Sequence, residues 1–309
     1  MFRQLKKLYL DHYLPYDQIV ALQKQNFQAH LERLTEDEKQ WWFKGVDVTC
    51  LEDIDKLPVR DSTDIISQQQ LDPPYGMWRK GEIVFTSSGS INGVRKVFPR
   101  SLESYHRYIV NMVRGLENNG VNIGDTILTT DTGAMFSGHT AIEDAATHFL
   151  GVSRVRCGSP LLTEKLKTMN QYGVTVLSAS PAKLLRMAKL KPKTLLSRPL
   201  KMVISAGGPI KHEEEIADAF GVNQIVNFYG SAEMSNIAWT CNRGHFHVNI
   251  DLCYINQGKY FTNLTNLPVF NYVQGEELKF SYKGTCACGS NLPTVDKMIV
   301  SIADRNHKD

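Results

Sequence analysis

Between residues 82 and 228 the chain alternates repeatedly between short apolar runs and longer amphipathic runs, and this alternation restricts the fold more than any other feature. Strands are expected at Glu82–Thr86, Thr126–Thr130, Ser153–Arg156, Val174–Ser178, Met202–Ser205 and Gln224–Phe228. Helices are expected at Ser101–Asn118, Gly138–Leu150, Leu161–Tyr172, Pro181 to about Lys189, and Lys211–Phe220. Ser101 can cap its helix, and Pro181 sits in a first turn, where a missing N–H costs nothing. Strand and helix in regular succession imply a parallel sheet covered by helices.

On either side of this core the pattern changes. Helices are expected at Tyr16–Arg33 and Glu36–Phe43, then a short one from Leu51 that stops at Pro58, then a polar connector from Ser67 to Pro74. From Asn236 onward short strands separated by turns are expected at Phe246–Ile255, Lys259–Leu264, Val269–Tyr272 and Glu277–Ser281. The expected class is therefore α/β. Mixed, mostly parallel sheets flanked by helices form a core over residues 1–235, and a small antiparallel β-subdomain follows over 236–309.

Composition narrows the function. Over 309 residues, 42% are hydrophobic and 22% charged, which excludes a largely disordered chain. A formal charge of +3 gives no reason to expect a nucleic-acid partner, and Lys189, Lys191 and Lys193 read as a solvated helix end. No apolar run approaches the roughly 20 residues that span a bilayer, and Met1–Lys7 lacks a secretory apolar stretch. A cytoplasmic enzyme without a membrane partner is expected, and its six cysteines are then poor candidates for a disulfide framework.

Two stretches carry chemistry. In Ile83-Val84-Phe85-Thr86-Ser87-Ser88-Gly89-Ser90-Ile91-Asn92-Gly93-Val94-Arg95-Lys96, a strand opens into hydroxyls and glycines followed by two cations. Such a loop can surround phosphate oxygens, although a polar turn between two strands fits equally well. It is not the G-x-x-x-x-G-K-[ST] pattern. Val226-Asn227-Phe228-Tyr229-Gly230-Ser231-Ala232-Glu233 follows the last parallel strand, where open α/β sheets bind ligands. Its aromatic, glycine, hydroxyl and carboxylate could stack a base, admit a phosphate and hold Mg²⁺, and a plain strand-to-loop turn is the alternative.

In this order the segments resemble the adenylate-forming enzymes, in particular the phenylacetate–CoA ligase branch, and match their large N-terminal lobe. Thr86–Gly93 resembles the family's phosphate loop, and Tyr229-Gly230-Ser231-Ala232-Glu233 its tyrosine-glycine-x-x-glutamate motif. Ser205-Ala206-Gly207-Gly208-Pro209 is similar to the turn lining the adenine site, and Phe136-Ser137-Gly138-His139 to the segment shaping the acyl pocket. Leu267–Glu276 resembles the region that ends in a ribose-binding acid, and Leu51–Ile65 the branch's lead-in.

The resemblance implies ATP-dependent activation of a carboxylic acid, aryl acids included, to an acyl-adenylate. CoA, an acyl carrier protein or an amine would accept the acyl group. It implies that Ser87, Ser88, Gly89, Ser90 and Lys96 face the β- and γ-phosphates, that Ser231 meets the α-phosphate and that Glu233 holds Mg²⁺. Gly207, Gly208, Asn227, Phe228, Tyr229 and Gly230 would enclose the nucleotide, Glu276 would take the ribose, and His139 would sit near the acyl group. A helix-capping role is the alternative for His139. Three positions depart from the family: Ile91 replaces the second loop threonine, Asn271 an arginine, and Glu276 an aspartate. Ser301–Asp309, with Arg305 among the nucleotide-binding candidates, resembles the hinge to a mobile C-terminal lobe. The sequence stops there, and four alternatives stay open: a separate partner protein supplies that lobe, the enzyme works without it, catalysis has been lost, or the sequence is a shortened piece. A homodimer is a further expectation from the family.

Cys241, His247, Cys286 and Cys288 make a Cys₃His set suited to structural Zn²⁺ in a reducing compartment. Unrelated thiols on a hairpin are the alternative, and His245 competes for the histidine place. The resemblance favours zinc and His247, since relatives carry the metal at matching positions. Cys50, Cys157 and Cys253 read as ordinary buried thiols. Three functions stay open: the adenylate-forming enzyme, a nucleotide- or acyl-adenylate-binding protein of reduced turnover that needs a partner lobe in trans, and an interaction module.

Overall fold

The computed structural model describes residues 10–70, 83–91, 93–130, 137–157, 159–265 and 267–300, with the side chains of 88–91, 137 and 297–300 excepted. In chain order the helices are α1 (Tyr16–Leu31), α2 (Glu36–Phe43), α3 (Ser62–Gln69), α4 (Leu102–Asn118), α5 (Ser137–Leu150), α6 (Leu162–Tyr172), α7 (Pro181–Ala188), α8 (Pro192–Leu195) and α9 (Glu213–Phe220). The strands of the first half are β1 (Ile83–Ile91), β2 (Val94–Arg100), β3 (Thr126–Thr129), β4 (Ser153–Val155), β5 (Val176–Ala179), β6 (Met202–Ala206) and β7 (Ile225–Ser231). Those of the second half are β8 (Ser235–Thr240), β9 (Phe246–Val248), β10 (Cys253–Asn256), β11 (Tyr260–Asn263), β12 (Tyr272–Val273), β13 (Glu276–Ser281) and β14 (Thr294–Val300). None of the described helices is long and apolar enough to cross a membrane.

The chain forms two compact units. The first contains Ile109–Gly230 and Ala238–Phe246; the second contains Leu10–Tyr108, Ser231–Ile237 and the stretch from His247. The helices before β1 thus share a unit with the late antiparallel strands, which a division by chain order at 235/236 does not express.

In the first unit the strand order is β7-β6-β5-β3-β4, and every pairing is parallel. Register partners in parallel strands share a face, so two side-chain sets can be read off. Leu128, Leu177, Val203 and Ile225 form one face. They pack with Leu166 and Met169 of α6, Leu184 and Met187 of α7, and Ile216 and Phe220 of α9. Each of these side chains contributes roughly 1.5–3 kcal/mol by leaving water. The opposite face carries Thr129, Ser178 and Phe228. Phe228 lies so close to α4 that a Cβ on Gly115 would sit 2.6 Å from its ring.

In the second unit β1 and β2 form an antiparallel hairpin, β10-β11-β12 form a small antiparallel sheet, and β13 and β14 pair antiparallel. The rings of His30, Phe43 and Trp42 lie 5.1, 5.2 and 5.8 Å from that of Phe270, giving the unit an aromatic centre. α2 begins with a reciprocal cap, the Thr35 hydroxyl accepting from Glu38 N and the Glu38 carboxylate from Thr35 N.

Several expectations need correction. The connector expected from Ser67 begins inside α3, whose N-cap Asp61 accepts from Thr63 and Asp64 amides; its end, from residue 71, lies outside the described residues. The single strand expected over Phe246–Ile255 is two, because the Asn249 carbonyl draws the amides of Leu252 and Cys253 into a turn. The Val269–Tyr272 strand reduces to Tyr272–Val273. Ser87–Ser90, expected as a loop, is part of β1. The loop character survives as a bulge, since Thr86 faces Val97 and Ser90 faces Arg95, leaving Ser87, Ser88 and Gly89 opposite Lys96 alone.

Candidate active site

The second unit gathers a buried ionic cluster. Ser231 closes β7, and its Oγ accepts from Met234 N at 3.1 Å. The turn so formed presents Glu233, which is 3% exposed, and Asn263 Nδ2 donates to the Glu233 carbonyl at 2.9 Å. Lys96 Nζ donates to Glu233 Oε1, to Ser62 Oγ at 2.8 Å and to Tyr272 OH at 2.9 Å. Tyr272 OH donates to the same Glu233 oxygen at 3.0 Å, and lies 2.9 Å from Ser62 Oγ. Burial pushes the Glu233 carboxyl up, but the Lys96 charge and the hydrogen bonds from Lys96 and Tyr272 outweigh it and leave the group below the usual carboxylate range. Burial, and then the neighbouring Glu233 charge, hold the Tyr272 phenol well above its ordinary value.

The bulged hairpin closes on the same cluster. Lys96 N donates to Ser87 Oγ at 3.2 Å, so the first serine of the hydroxyl stretch is tied to the residue that pairs with Glu233. Four residues on, Arg100 is buried, and its Nη2 donates to the Ala232 carbonyl at 2.6 Å. Burial lowers its guanidinium to about 10, while Tyr108 and Glu233 act in the opposite direction. Glu276 is half-buried at the start of β13, three residues beyond the end of the strand carrying Tyr272.

The first unit holds the remaining candidates at the carboxyl ends of its parallel strands. Gly207 leaves β6 with φ +90, a conformation that favours glycine, and Gly208 follows it into solvent. Along β7 the exposure alternates: Asn227 and Tyr229 are half-buried while Phe228 is 5% exposed. Asn227 takes the face of Ser205, on the side covered by α6, α7 and α9. Phe228 takes the other, against Gly115. The period of two along a strand sends the Phe228 side chain into the core, so of Phe228 only the backbone is left to face a nucleotide. Gly230 is exposed at the point where β7 enters the second unit. On the face of Phe228, buried His139 places Nδ1 2.9 Å from Ser178 Oγ, so its side chain reaches across to a strand instead of capping α5.

A third group lies in the second unit. One ligand atom each from His247, Cys286 and Cys288 falls within 4.8 Å of the others. His247 Nδ1 lies 3.0 Å from the Leu292 carbonyl, so it carries the proton and turns Nε2 toward Cys288 Sγ at 3.4 Å. The Cys288 amide donates to Cys286 Sγ at 3.5 Å and the Gly289 amide to the Cys286 carbonyl at 2.8 Å. In the first unit Cys241 heads a turn of the same build: Arg243 N to Sγ at 3.4 Å, Gly244 N to the carbonyl at 2.9 Å. Thiols, an imidazole and backbone donors to sulfur fit a soft divalent ion such as zinc.

The side chains of Ser88 and Ser90, the Ser87-to-Ile91 glycine's surroundings, residues 131–136 and Arg305 with the segment around it lie outside what is described. Among the residues that sequence reasoning did not single out, Ser62, Tyr272 and Arg100 join the Glu233 cluster. Ser62 opens α3, within the stretch that the sequence marks only as a lead-in, and its place in the cluster follows from chain path alone.

No curated protein sequence matches the chain. Solved structures do. A 2-hydroxyisobutyryl-CoA ligase in an open conformation, in complex with 2-HIB-AMP and CoA, superposes with a TM-score of 0.74 at 17% identity, covering 94% of this chain and 76% of that one. The same ligase in its thioesterification state gives 0.75 at 17%, covering 93% and 68%. In its postadenylation state with 2-HIB-AMP it gives 0.73 at 16%, covering 94% and 69%. At such identity these likenesses establish the fold, that of the N-terminal lobe of adenylate-forming enzymes. The model of the AMP-binding enzymes matches residues 103–279, which include β7 with its Tyr229–Glu233 motif, and so the chain belongs to the family of AMP-binding enzymes.

Proposed function

We propose that the protein binds ATP and a small carboxylic acid and joins them as an acyl-adenylate, which it passes on to CoA. The observation that carries this reading is the Glu233 cluster: a buried carboxylate kept ionised beside Lys96 and tied through it to the hydroxyl bulge of β1. In the reaction a carboxylate oxygen of the acid bonds to the α-phosphorus of ATP, and pyrophosphate leaves with the electrons of the broken P–O bond. The enzyme needs to position the two anions and neutralise them.

Lys96 and Ser87 suit the β- and γ-phosphates, and Ser231 suits the α-phosphate. An ionised carboxylate such as Glu233 suits Mg²⁺, which when bound neutralises charge building on phosphoryl oxygens. Gly207, Gly208, Asn227, Tyr229 and the Gly230 backbone suit the base, Glu276 the ribose, and His139 with Ser178 the acid. CoA as acceptor rests on the fold shared with a ligase crystallised with an acyl-AMP and CoA. The phenylacetate–CoA ligase branch, and an aryl acid with it, rest on the Leu51–Ile65 lead-in and the Cys/His set.

The test is carboxylate-dependent exchange of labelled pyrophosphate into ATP across an acid panel that includes aryl and short hydroxy acids. Exchange with at least one acid supports the reading. Stabilisation by ATP or AMP without exchange for any acid replaces it with a binding protein.

We assign structural zinc to His247, Cys286 and Cys288, with Cys241 as the candidate fourth thiolate from the build of its turn. Elemental analysis should find zinc in the purified protein and lose it in Cys286→Ser. Equal content in both proteins would remove the assignment.

A further inference from the structure

Arg100 has no part in the proposed chemistry, yet its placement needs an explanation. A guanidinium is rarely taken out of water unless a carboxylate or several acceptors compensate it. Arg100 is 1% exposed, and among the described residues no carboxylate lies within ion-pair distance of it. Among the described residues its one hydrogen bond runs from Nη2 to the Ala232 carbonyl, its carbon lies 5.1 Å from the centre of the Tyr108 ring, and Nε and Nη1 have no hydrogen-bond partner. The acceptor it chooses is the peptide immediately before Glu233.

Lys96 and Arg100 stand four residues apart on β2, on the same side of the strand. They treat Glu233 differently. Lys96 holds the carboxylate itself through a long ammonium arm, which a phosphate can draw away. Arg100 holds the backbone behind the carboxylate and is locked between that carbonyl and an aromatic face.

We propose that Arg100 is a positioning residue: a fixed positive anchor that pins the Ser231–Glu233 turn and stays beside Glu233 when Lys96 turns to the nucleotide. Glu233 then keeps its place, and a positive neighbour, during the exchange of partners. The proposal rests on the reading of Glu233 as the residue facing the metal–nucleotide complex.

Arg100→Gln keeps a donor for the Ala232 carbonyl and removes the charge, whereas Arg100→Lys keeps the charge. Two measurements separate the alternatives. The first is a thermal-unfolding cycle of Arg100→Gln and Glu233→Gln, singly and together, with no ligand added. Arg100→Gln should lower Tm less in the Glu233→Gln background than in the unmutated protein; equal drops in both would overturn the proposal. The second is calorimetric binding of Mn²⁺ with ATP. Arg100→Gln should weaken it about tenfold and Arg100→Lys should restore most of the loss; full-strength binding by Arg100→Gln would also overturn the proposal. Should Arg100→Gln fail to fold, Arg100→Lys must retain metal–nucleotide binding within a fewfold, and its loss would count against the charge. Failure of the functional reading looks different: the unmutated protein would show no pyrophosphate exchange while the unfolding cycle, which needs no nucleotide, still reports the Arg100–Glu233 coupling.

Discussion

The two units place their candidate residues in opposite electrostatic settings. Around Glu233 the second unit buries ionised side chains, so each charge depends on its partners: Lys96 on the carboxylate, Arg100 on the carbonyl behind it. At the strand ends of the first unit the candidates are neutral. Gly207 with φ +90, Asn227, Tyr229 and the His139–Ser178 pair offer backbone shape and uncharged hydrogen bonding. Charge clusters of the first kind stabilise developing charge and tolerate little change. Neutral strand ends select a ligand by shape and degrade gradually.

The sharpest test of that contrast is Glu233→Gln, which keeps the shape and removes the charge. Pyrophosphate exchange should fall about 10²–10³-fold, the usual scale for deleting one electrostatic element of a site. A loss under tenfold would mean that the buried charge is structural.

Lys96→Met probes the same cluster through stability. It leaves a buried carboxylate without its main partner and should cost about 3–5 kcal/mol at neutral pH, read by chemical denaturation. The sign with pH follows from the direction of the shift. Glu233 lies below the usual carboxylate range, so its contribution is present above the unfolded pKa and is lost as pH falls through the folded one. Without Lys96, burial should push the carboxyl up, so the gap between variant and unmutated protein should narrow on acidification. A gap that widens in acid would break the account.

Phe228→Ala and Tyr229→Ala compare adjacent residues on opposite faces of β7. The first should cost about 3–5 kcal/mol of stability, because it empties a packed site against Gly115. The second should instead weaken AMP binding, measured by calorimetry, with a smaller effect on unfolding. A reversed pattern would exchange the roles assigned by the strand period.

Gly115→Ala asks how tightly α4 sits on the sheet. A Cβ there would meet the Phe228 ring at 2.6 Å, and overpacking of this kind costs typically about 1–3 kcal/mol. The smallest expected effect is His139→Ala, with about a tenfold rise in KM for the acid and a nearly unchanged KM for ATP. A rise in KM for ATP would move His139 away from the acyl side.

Much of this was legible in the residues. Period and length gave the parallel strands from β3 to β7 and, apart from the four-residue α8, their helices to within two or three residues, since apolar burial on both faces leaves a strong pattern. The motif ending in Glu233 and the Cys/His set were visible for the same reason: their chemistry is carried by residue type and spacing. β2 and α3 were not. β2 alternates Arg95, Lys96, Phe98 and Arg100 in a way that suggests a solvated turn, and α3 declares itself only through the Asp61 cap. β8 leaves no signal in the sequence, because a short, fully buried run after a turn has no period to read.

The sequence by itself determined the class of fold, the family and the candidate residues proposed for phosphate, magnesium and zinc, because hydrophobic period and side-chain chemistry are local properties. Only the tertiary structure decided which of them meet. Ser62, Lys96, Glu233 and Tyr272 come from four distant stretches, and Phe228 turns to the core while its neighbours do not. Burial, register and the partners of a charge are set by the path of the whole chain, and no stretch of residues records them alone.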